Sequence, residues 1–370
     1  MRFHAVALAV TERIAAGEWA LGERLPSERD LATTYGVGLN TVRRAVAMLE
    51  RDGVVSRVQG SGTFLADVPP RHRRGSGKSL LGVVLPAAKY YVDIVDGIHD
   101  AVRATPWQVL TSYATFEPEL ELERCRELIN LGVRGLLVSP SFHNTADPGA
   151  HLAALQQLGV PVVLVDRRPP DLLGEAISYV ATDRECAAHL AVRHLAGLGR
   201  TRLGYFGTEG ASSQEVHGAF NHAVGRLGLE VLSEVNEERG TWTREAVTDY
   251  VRRCRASEVD GILCMDDRRA LMLLPSLVES GLEVPTDVAV VAYDDLVHDL
   301  SPIPLTTVSP PKFEVGRRAV ESLLHHITHG VKAAACHAEL QPRLVIRGSC
   351  GAAAATDVQH VTGMVTPNEH

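Results

Sequence analysis

The residues best suited to chemistry lie between Leu25 and Leu65, where polar and basic side chains recur at short spacing. They are Arg29, Asn40, Thr41, Arg43, Arg44, Arg57 and Gln59, with Gly60 beside the last. Asn can hold adenine through two hydrogen bonds, Arg can bind guanine or phosphate, and Thr can contact a base or the DNA backbone. A glycine-tipped ribbon with basic and amide side chains can enter the minor groove. This set favours binding of duplex DNA, and the alternative is a small helical domain with a solvated polar face.

Two helices and a hairpin are predicted to position these side chains. Ser27 and Asp30 have nearly the spacing of a capping box, and Gly36 suits the left-handed residue that ends a helix. The second helix buries a stripe with the spacing i, i+3, i+4 and i+7, made of Val42, Ala45, Val46 and Leu49. The runs Val54–Val58 and Gly62–Leu65 flank a glycine-containing tip and predict the hairpin.

This segment resembles the winged helix-turn-helix of GntR-type transcription regulators over about residues 3–66. The shared motifs are LPSER-x-LA, V-x-x-x-TVRRA, LE-x-DG and QG-x-GTF. The resemblance implies DNA contacts from Arg29, Asn40, Thr41, Arg43 and the pair Gln59-Gly60. The family often has Ser-Arg or Thr-Arg where this chain has Gly38-Leu39, so one frequent basic contact is missing and the operator sequence does not carry over.

Length and composition limit the classes to which the chain can belong. Its 370 residues suit two or three domains, and a hydrophobic content of 45% supports a substantial core. It has no apolar run of 18 residues and no secretory signal, so we expect a cytoplasmic protein without a membrane partner. The 6 cysteines are dispersed without a C-x-x-C pair, and no metal-ligand spacing stands out, so we expect neither disulfides nor a metal or other cofactor.

The net charge of −8 conceals a difference between the two ends of the chain. Residues 1–79 hold 12 Lys and Arg against 8 Asp and Glu, which gives +4, whereas the remainder holds 25 against 37, which gives −12. A basic N-terminal region on an acidic body is typical of a nucleic-acid-binding domain joined to a different domain. The Pro-, Gly- and Arg-rich run VPPRHRRGSGKS at residues 68–79 suits a linker between them.

From residue 80 onward, short apolar runs alternate with amphipathic stretches such as Arg184–Leu198 and Arg244–Arg255. Ten runs are predicted to be strands: 80–85, 108–113, 135–139, 160–166, 179–183, 203–207, 231–235, 261–265, 288–293 and 306–308. Continuous apolar strands joined by helices predict parallel sheets covered on both faces, which bind ligands beyond the carboxyl ends of their strands. No G-x-G-x-x-G follows the first strand, which argues against a dinucleotide.

The region from Leu80 to Gly348 resembles the effector domain of LacI/GalR-type repressors. The shared segments, in order, are LGVVLP, PVVLVDRR, ILCMDDRRA, VPTDVAVVAYDD, P-x-P-LTTV and VGRRAVESLL. The resemblance implies a two-lobed, periplasmic-binding-protein-like sensor that binds a sugar or similar molecule between its lobes. It also implies chain crossings, which we expect near residues 180, 295–305 and 335–342. A GntR-type reader joined to a LacI-type sensor resembles the arabinose-repressor group of transcription regulators.

The same resemblance implies residues that bind the effector. They are Tyr90, Tyr91, Asp166, Arg167, Trp242 and Asp267, to which the end of a predicted strand adds Ser139. Aromatic rings suit the C–H faces of a hydroxylated ligand, while carboxylates and a guanidinium suit its hydroxyl groups. Structural alternatives exist: Tyr90 could be a rim residue, and Trp242 could belong to the core. Asp267, like Asp183, could cap the helix that follows it.

Glu215 departs from the family pattern, because an arginine that helps bind the effector commonly stands three residues before the equivalent of Gly218. A carboxylate at this position reverses the local charge. We therefore expect Glu215, as an effector-binding residue, to favour neutral polyols or cationic groups over acids or phosphates.

The sequence thus predicts an α/β protein with two parts. An N-terminal winged helix-turn-helix of class α+β occupies residues 1–67 and is followed by a linker at 68–79. A two-lobed periplasmic-binding-protein-like domain with parallel sheets occupies 80–350 and also supports dimerisation, and a C-terminal tail covers 351–370.

The predicted function is a ligand-responsive, DNA-binding transcription regulator, most simply a repressor of genes for carbohydrate uptake or catabolism. A homodimer would bind a double-stranded operator, and a small polar, sugar-like effector would change its affinity. No G-x-S-x-G, H-E-x-x-H or Walker A motif is present, so no enzyme is expected. The alternatives left open are a cytoplasmic sugar-binding protein and an enzyme on the same two-lobed fold.

Overall fold

The computed structural model describes two compact units. Its described residues are 3–15, 18–19, 22–51, 54–58, 62–65, 79–169, 177–208, 211–237, 243–297 and 301–352. The first unit contains those up to Val180 together with Phe313–His337, and the second contains those of Ala181–Lys312 and those from Ala338 onward. Within these ranges, every helix is too short or too polar to cross a membrane.

Three helices and a hairpin form the N-terminal part of the first unit. They are α1 (Phe3–Ala15), α2 (Glu28–Tyr35), α3 (Leu39–Arg51), β1 (Val55–Val58) and β2 (Gly62–Leu65). Their common core includes Val6, Val10, Leu25, Leu31, Val42, Ala45, Val46, Leu49, Val55 and Leu65. The hairpin is antiparallel, and the chain before α2 extends it through a bridge between Arg24 and Phe64. The apolar stripe predicted for α3 is therefore buried, and the predicted winged helix-turn-helix is confirmed.

The first large sheet has six strands. They are β3 (Ser79–Leu85), β4 (Trp107–Tyr113), β5 (Val133–Val138), β6 (Val162–Val165), β7 (Ser178–Thr182) and β13 (His337–Leu340), in the order β13-β7-β6-β5-β3-β4. The accompanying helices are α4 (Ala88–Val102), α5 (Pro118–Asn130), α6 (Pro148–Gln156) and α11 (Lys312–His329). The five strands from β3 to β7 are parallel. Consecutive buried residues along β3 and β5 show that protein covers both faces of the sheet.

The second large sheet repeats this plan. Its strands are β8 (Arg202–Thr208), β9 (Glu230–Glu237), β10 (Gly261–Cys264), β11 (Ala289–Tyr293), β12 (Thr306–Ser309) and β14 (Arg343–Val345), in the order β14-β12-β11-β10-β8-β9. Its helices are α7 (Arg184–Gly197), α8 (Ala211–Arg226), α9 (Arg244–Ala256) and α10 (Asp267–Glu279). Strands β8 to β12 are parallel, and β14 runs antiparallel to β12.

All ten strands predicted from the apolar runs are present, each within three residues of its expected ends. The sequence did not predict β13 and β14, which have only 4 and 3 residues and no fully buried position. The second passage between units was expected at 295–305 but follows Lys312. The expectation was too early because β12 still pairs with β11 in the second sheet.

Two glycines let α4 and α11 of the first unit approach closely. A Cβ built on Gly97 would lie 1.9 Å from the carbonyl oxygen of Phe313, and one on Gly316 would lie 2.0 Å from that of Ile94. Both distances are far below van der Waals contact, and both obstacles are backbone atoms. The start of α11 can therefore pack against α4 only where both positions lack a side chain.

Candidate functional sites

The turn between α2 and α3 is fixed by local capping. The Ser27 hydroxyl accepts a hydrogen bond from the backbone N–H of Asp30 at 3.2 Å, and the Ser27 N–H donates to the Asp30 carboxylate at 3.1 Å. Gly36 has a φ of +61° and ends α2, as predicted. The capping box and the left-handed glycine set where α2 begins and ends, and thereby where α3 can start.

The polar face of α3 carries most of the predicted DNA contacts. Asn40, Arg43 and Arg44 are exposed, Thr41 is half-buried, and Arg29 on α2 is also exposed. The opposite face of α3 is held by the core described above. A buried apolar face and an exposed Asn, Thr and Arg face are what a helix needs in order to enter the major groove.

One carboxylate connects α3 to the hairpin. Arg43 Nε donates to Glu28 Oε2 at 3.1 Å, and Arg57 Nη2 on β1 donates to Glu28 Oε1 at 2.7 Å. Arg57 Nε also lies 3.5 Å from the Glu50 carboxylate. Two basic side chains from different elements thus share the same acceptor on the first turn of α2.

Arg44 lies on a different side of α3. Its guanidinium is 4.2 Å from the ring centroid of Phe3 on α1, which is within the range of a cation–π contact. Arg44 therefore packs on α1, whereas Arg43 lies beside the hairpin. The wing residues Gln59 and Gly60 lie outside the described residues.

In the first unit, three predicted effector residues meet at the carboxyl ends of β3 and β5. The hydroxyls of Tyr91 and Ser139 are buried and lie 2.8 Å apart. Tyr90 is half-buried, with its ring edge-to-face against that of Tyr91 at 4.9 Å between centroids. Tyr90 is thus closer to the rim than Tyr91, which belongs to the interior.

Asp166 and Arg167 follow β6 at the same edge of this sheet. Asp166 is buried, has a φ of +56°, and its N–H donates to the carbonyl of Val180 at 2.8 Å. Arg167 is 8% exposed, and its buried Nε and Nη1 atoms have no hydrogen-bond partner among the described residues. A left-handed non-glycine residue and a buried guanidinium with unmade hydrogen bonds both cost free energy, a pattern that is common at functional sites.

In the second unit, Asp267 is tied to two neighbouring segments. Its Oδ2 accepts hydrogen bonds from the N–H groups of Leu296 at 2.6 Å and Val297 at 3.2 Å, and its Oδ1 accepts one from the Thr307 hydroxyl at 3.1 Å. Burial raises the pKa of Asp267, and these hydrogen bonds oppose the rise. Any effector contact would have to share a carboxylate that already accepts three protein hydrogen bonds.

The helix-cap alternatives are resolved by geometry. Asp183 caps α7, since its carboxylate accepts from the N–H of Cys186 at 2.8 Å. The residue that caps α10 is Asp266, whose side chain accepts from the N–H of Arg269 at 2.9 Å. Asp267 lies one residue further, inside the first turn, so capping does not account for it.

Glu215 on α8 has a buried partner that the sequence analysis missed. Arg184, whose side chain is 3% exposed, has its Nη1 atom 3.3 Å from Glu215 Oε2. The negative charge of Glu215 is therefore balanced locally, and the pair as a whole is neutral. Arg184 gave no local signal, because the two residues are 31 positions apart. Trp242 lies outside the described residues.

Ser141 is a second residue that the sequence analysis did not single out. It lies two residues beyond Ser139, and its fully buried hydroxyl has no hydrogen-bond partner among the residues that the structure describes. Its N–H donates to the buried carboxylate of Glu121 at 3.0 Å. The sequence could have indicated Ser141, because it follows the same strand as Ser139. Both serines lie after β5, at the edge of the sheet where ligands are expected.

The described part of the chain contains no group of three or more His, Cys, Asp or Glu side chains arranged to hold a metal ion. Its candidate sites instead offer hydrogen bonds, ring faces and charges. Such groups can bind DNA or a polar ligand without any covalent step.

Comparisons with known proteins agree with this architecture. A model of the bacterial regulatory proteins of the gntR family matches residues 4–65, and a model of the periplasmic binding protein-like domain matches residues 192–350. The arabinose metabolism transcriptional repressor of Geobacillus stearothermophilus is 27% identical, over 91% of this chain and 94% of its own length.

A Streptomyces limosus protein, described as an uncharacterized HTH-type transcriptional regulator in the aml 5′ region, is 30% identical over 88% of this chain and 94% of its own. A solved structure of a putative LacI-family transcriptional regulator from Sanguibacter keddieii is 27% identical, with a TM-score of 0.61, and covers 74% of this chain and 98% of that one. These proteins are transcription regulators and not enzymes. The chain therefore belongs to the helix-turn-helix transcription regulators that join a gntR-family DNA-binding domain to a periplasmic binding protein-like, LacI-type domain.

Proposed function

We propose that this regulator is a repressor of genes for sugar uptake or catabolism, and that a small, neutral, hydroxylated effector changes its affinity for the operator. The observation that carries the effector proposal is Arg167, a buried guanidinium whose Nε and Nη1 have no partner among the described residues. Oxygen atoms of a bound ligand would supply the missing acceptors.

The class of effector follows from the chemistry of the predicted set. Tyr90, half-buried at the rim, offers ring surface for C–H faces, and Ser139 and Asp166 offer acceptors and donors for hydroxyl groups. Tyr91 lies behind Tyr90 in the interior and would act by positioning Ser139. Glu215 is paired with Arg184, and the predicted set also holds the carboxylates of Asp166 and Asp267 beside the guanidinium of Arg167. Several carboxylates in one predicted set favour a neutral ligand over a sugar acid or phosphate, since like charges repel. The arabinose metabolism repressor among the relatives supports the same class.

A screen on the purified full-length chain tests the effector. Thermal unfolding would be measured with pentoses, hexoses, disaccharides, polyols, nucleosides, sugar acids and sugar phosphates. A ligand at 100 times its Kd adds about 2.7 kcal/mol of stability, which is easily detected. We expect a neutral sugar or polyol to give the largest shift. A sugar acid or phosphate that bound best, with unchanged affinity in Glu215→Arg, would contradict the proposed ligand class.

The proposed coupling to DNA is a population shift. The effector would bind two conformations of the protein with different affinity, and its effect on operator binding cannot exceed that difference. Gel-shift titrations with and without the sugar from the screen measure this coupling. Operator affinity that stays constant at saturating sugar would rule out the regulatory part of the proposal.

A homodimer is part of the proposal, because two winged helix-turn-helix units on successive half-sites require two copies of the chain. We call this unit, made of α1, α2, α3, β1 and β2, the reading module. It is supported by the outward face of α10, where Met272, Pro275 and Val278 are exposed and Leu271 is half-buried. Such an apolar face is typical of a subunit contact. Analytical ultracentrifugation should give a dimer for the wild type and a weaker one for Met272→Glu/Val278→Glu.

A further inference from the structure

Glu28 is placed to control how the reading module presents arginine to DNA. It lies at the first position of α2, and its two carboxylate oxygens bind arginines from two other elements. Oε2 accepts from Arg43 Nε at 3.1 Å, and Oε1 accepts from Arg57 Nη2 at 2.7 Å. One side chain thus links the three elements that must act together on a duplex: α2, α3 and the hairpin of β1 and β2, which is the wing.

Glu28 binds Arg43 through its Nε atom, and this choice of atom determines which nitrogens are left for DNA. Because the bond is made through Nε, the terminal Nη1 and Nη2 atoms stay available on a side chain that is 57% exposed. Those two nitrogens form the end of the guanidinium fork, which can bind guanine O6 and N7 together. A free arginine has several rotatable bonds, and fixing them before DNA arrives reduces the entropy lost on binding.

A purely structural role for this carboxylate is a poor explanation. The ion pairs are exposed, with Glu28 at 27% and Arg57 at 36%, and such pairs contribute little to folding. The core and the capping box already hold α2 and α3 in place. A carboxylate beside a DNA-binding face also repels phosphates, so it weakens binding to duplexes of every sequence.

We propose that Glu28 is a positioning residue for DNA reading, and the inference rests on the proposed operator binding. Through Nε it orients Arg43 toward a guanine, and through Arg57 it keeps the wing beside α3. Its negative charge at the same time lowers affinity for DNA in which the oriented arginine finds no guanine. Glu28 therefore raises discrimination between the operator and other DNA, at some loss of total affinity.

The test uses the full-length chain and two duplexes of equal length, one selected from a random library by this protein and one of random sequence. In Glu28→Gln, we expect the affinity for the random duplex to rise several-fold, with a salt slope steeper by about 1. The ratio of selected to random affinity should fall about tenfold. The wild type should lose affinity when one particular guanine of the selected duplex is replaced by 7-deazaguanine, and Glu28→Gln should lose little.

Glu50→Gln is the matched control. Glu50 lies 3.5 Å from Arg57 and its side chain is 39% exposed against 27% for Glu28, but its carboxylate is not bonded to Arg43. Its replacement removes the same charge from the same surface, so it should strengthen random binding without changing the sensitivity to 7-deazaguanine. If Glu50→Gln and Glu28→Gln lowered the affinity ratio equally, bulk charge would explain the effect and the inference would be wrong.

A double-mutant cycle separates action through Arg43 from action on the fold. In an Arg43→Ala background, Glu28→Gln should not lower the affinity ratio further, and both variants should keep the wild-type unfolding temperature. A full additional loss in the double variant would overturn the inference while leaving operator binding intact. Absence of any sequence preference in the wild type would instead overturn the proposed operator binding, and the inference with it.

Discussion

The reading module and the predicted effector residues hold their charges in opposite ways. Arg43 is mostly exposed and is paired with an exposed carboxylate, whereas Arg167 and Asp267 are almost completely buried. An exposed ion pair can exchange partners at little cost in free energy, because water and salt ions interact with each charge after the pair separates. A buried charge cannot, since each unmade hydrogen bond retains most of its desolvation cost.

This difference indicates in which region a substitution can change function without changing folding stability. In the reading module, substitution of an exposed arginine such as Arg43 should alter DNA binding and leave folding almost unchanged. In the sensor, the charged side chains Arg167 and Asp267 are buried inside their units. Substituting either one should therefore change both ligand binding and folding stability.

Gly316→Ala should destabilise the first unit by about 3 kcal/mol or more, because the new methyl group would lie 2.0 Å from the carbonyl oxygen of Ile94. Urea unfolding of the full-length chain measures the loss. Gly218→Ala on α8 is the control, since nothing lies within 4 Å of its added Cβ, and a helical Ala should gain about 0.5–1 kcal/mol there. Equal effects of the two substitutions would show that α4 and α11 are not closely packed.

Arg167→Met should abolish effector binding and yet raise stability by about 2 kcal/mol, because a buried guanidinium with unmade hydrogen bonds is replaced by an apolar chain of similar length. Calorimetric titration with the sugar from the screen and urea unfolding give the two quantities. Loss of stability in Arg167→Met would mean that the guanidinium is satisfied in the unliganded protein, and the contrast with Arg43 would then disappear.

The sequence predicted elements better than it predicted partners. The ten apolar strands and the buried stripe of α3 are recognisable because burial leaves a local pattern in the residues themselves. The capping box of Ser27 and Asp30 is equally local. In contrast, β13 and β14 are edge strands of only 4 and 3 residues without a fully buried position, so their place depends on the strands that they join.

The side-chain pairings could not be read from spacing. Glu28 binds arginines 15 and 29 positions away, and Asp267 binds groups 29 to 40 positions away. Asp266, and not its neighbour Asp267, caps α10. A sequence pattern locates a helix end only to within one or two residues, so it could not distinguish the two. The predictions for Gln59, Gly60 and Trp242 stay predictions, because those residues lie outside the described ranges.

Arg43→Ala should cost about 1–3 kcal/mol of operator affinity with almost no change in unfolding temperature. Arg44→Ala sharpens the comparison within α3, because Arg44 packs over the ring of Phe3. Its loss should lower the unfolding temperature of the reading module and affect operator affinity less. Gel shifts and thermal scans on the same preparations measure both, and a larger loss of operator affinity for Arg44→Ala would exchange the roles assigned to the two arginines.

The smallest expected effect is on the pH dependence of folding stability, which should differ between the partly exposed carboxyl of Glu314 and the buried carboxyl of Asp267. Arg317 and Arg318 hold the pKa of Glu314 on α11 down to about 2. Folding then favours the ionised form, so Glu314 stabilises the protein above its ordinary pKa of 4.5, and this contribution is lost as the pH falls towards 2. Since the side chain is 37% exposed, the contribution should be about 0.5 kcal/mol.

Asp267 should show the opposite sign. Burial raises its pKa, so folding favours the protonated form, and its contribution is present at low pH and is lost as the pH rises through the raised pKa. Urea unfolding of Glu314→Gln and Asp267→Asn across pH 3–7 separates the two. Against the wild type, Glu314→Gln should lose less stability on acidification and Asp267→Asn should lose more. Matching pH profiles for the two variants would mean that burial does not distinguish these carboxyls, and the contrast between exposed and buried charges would fail at its simplest case.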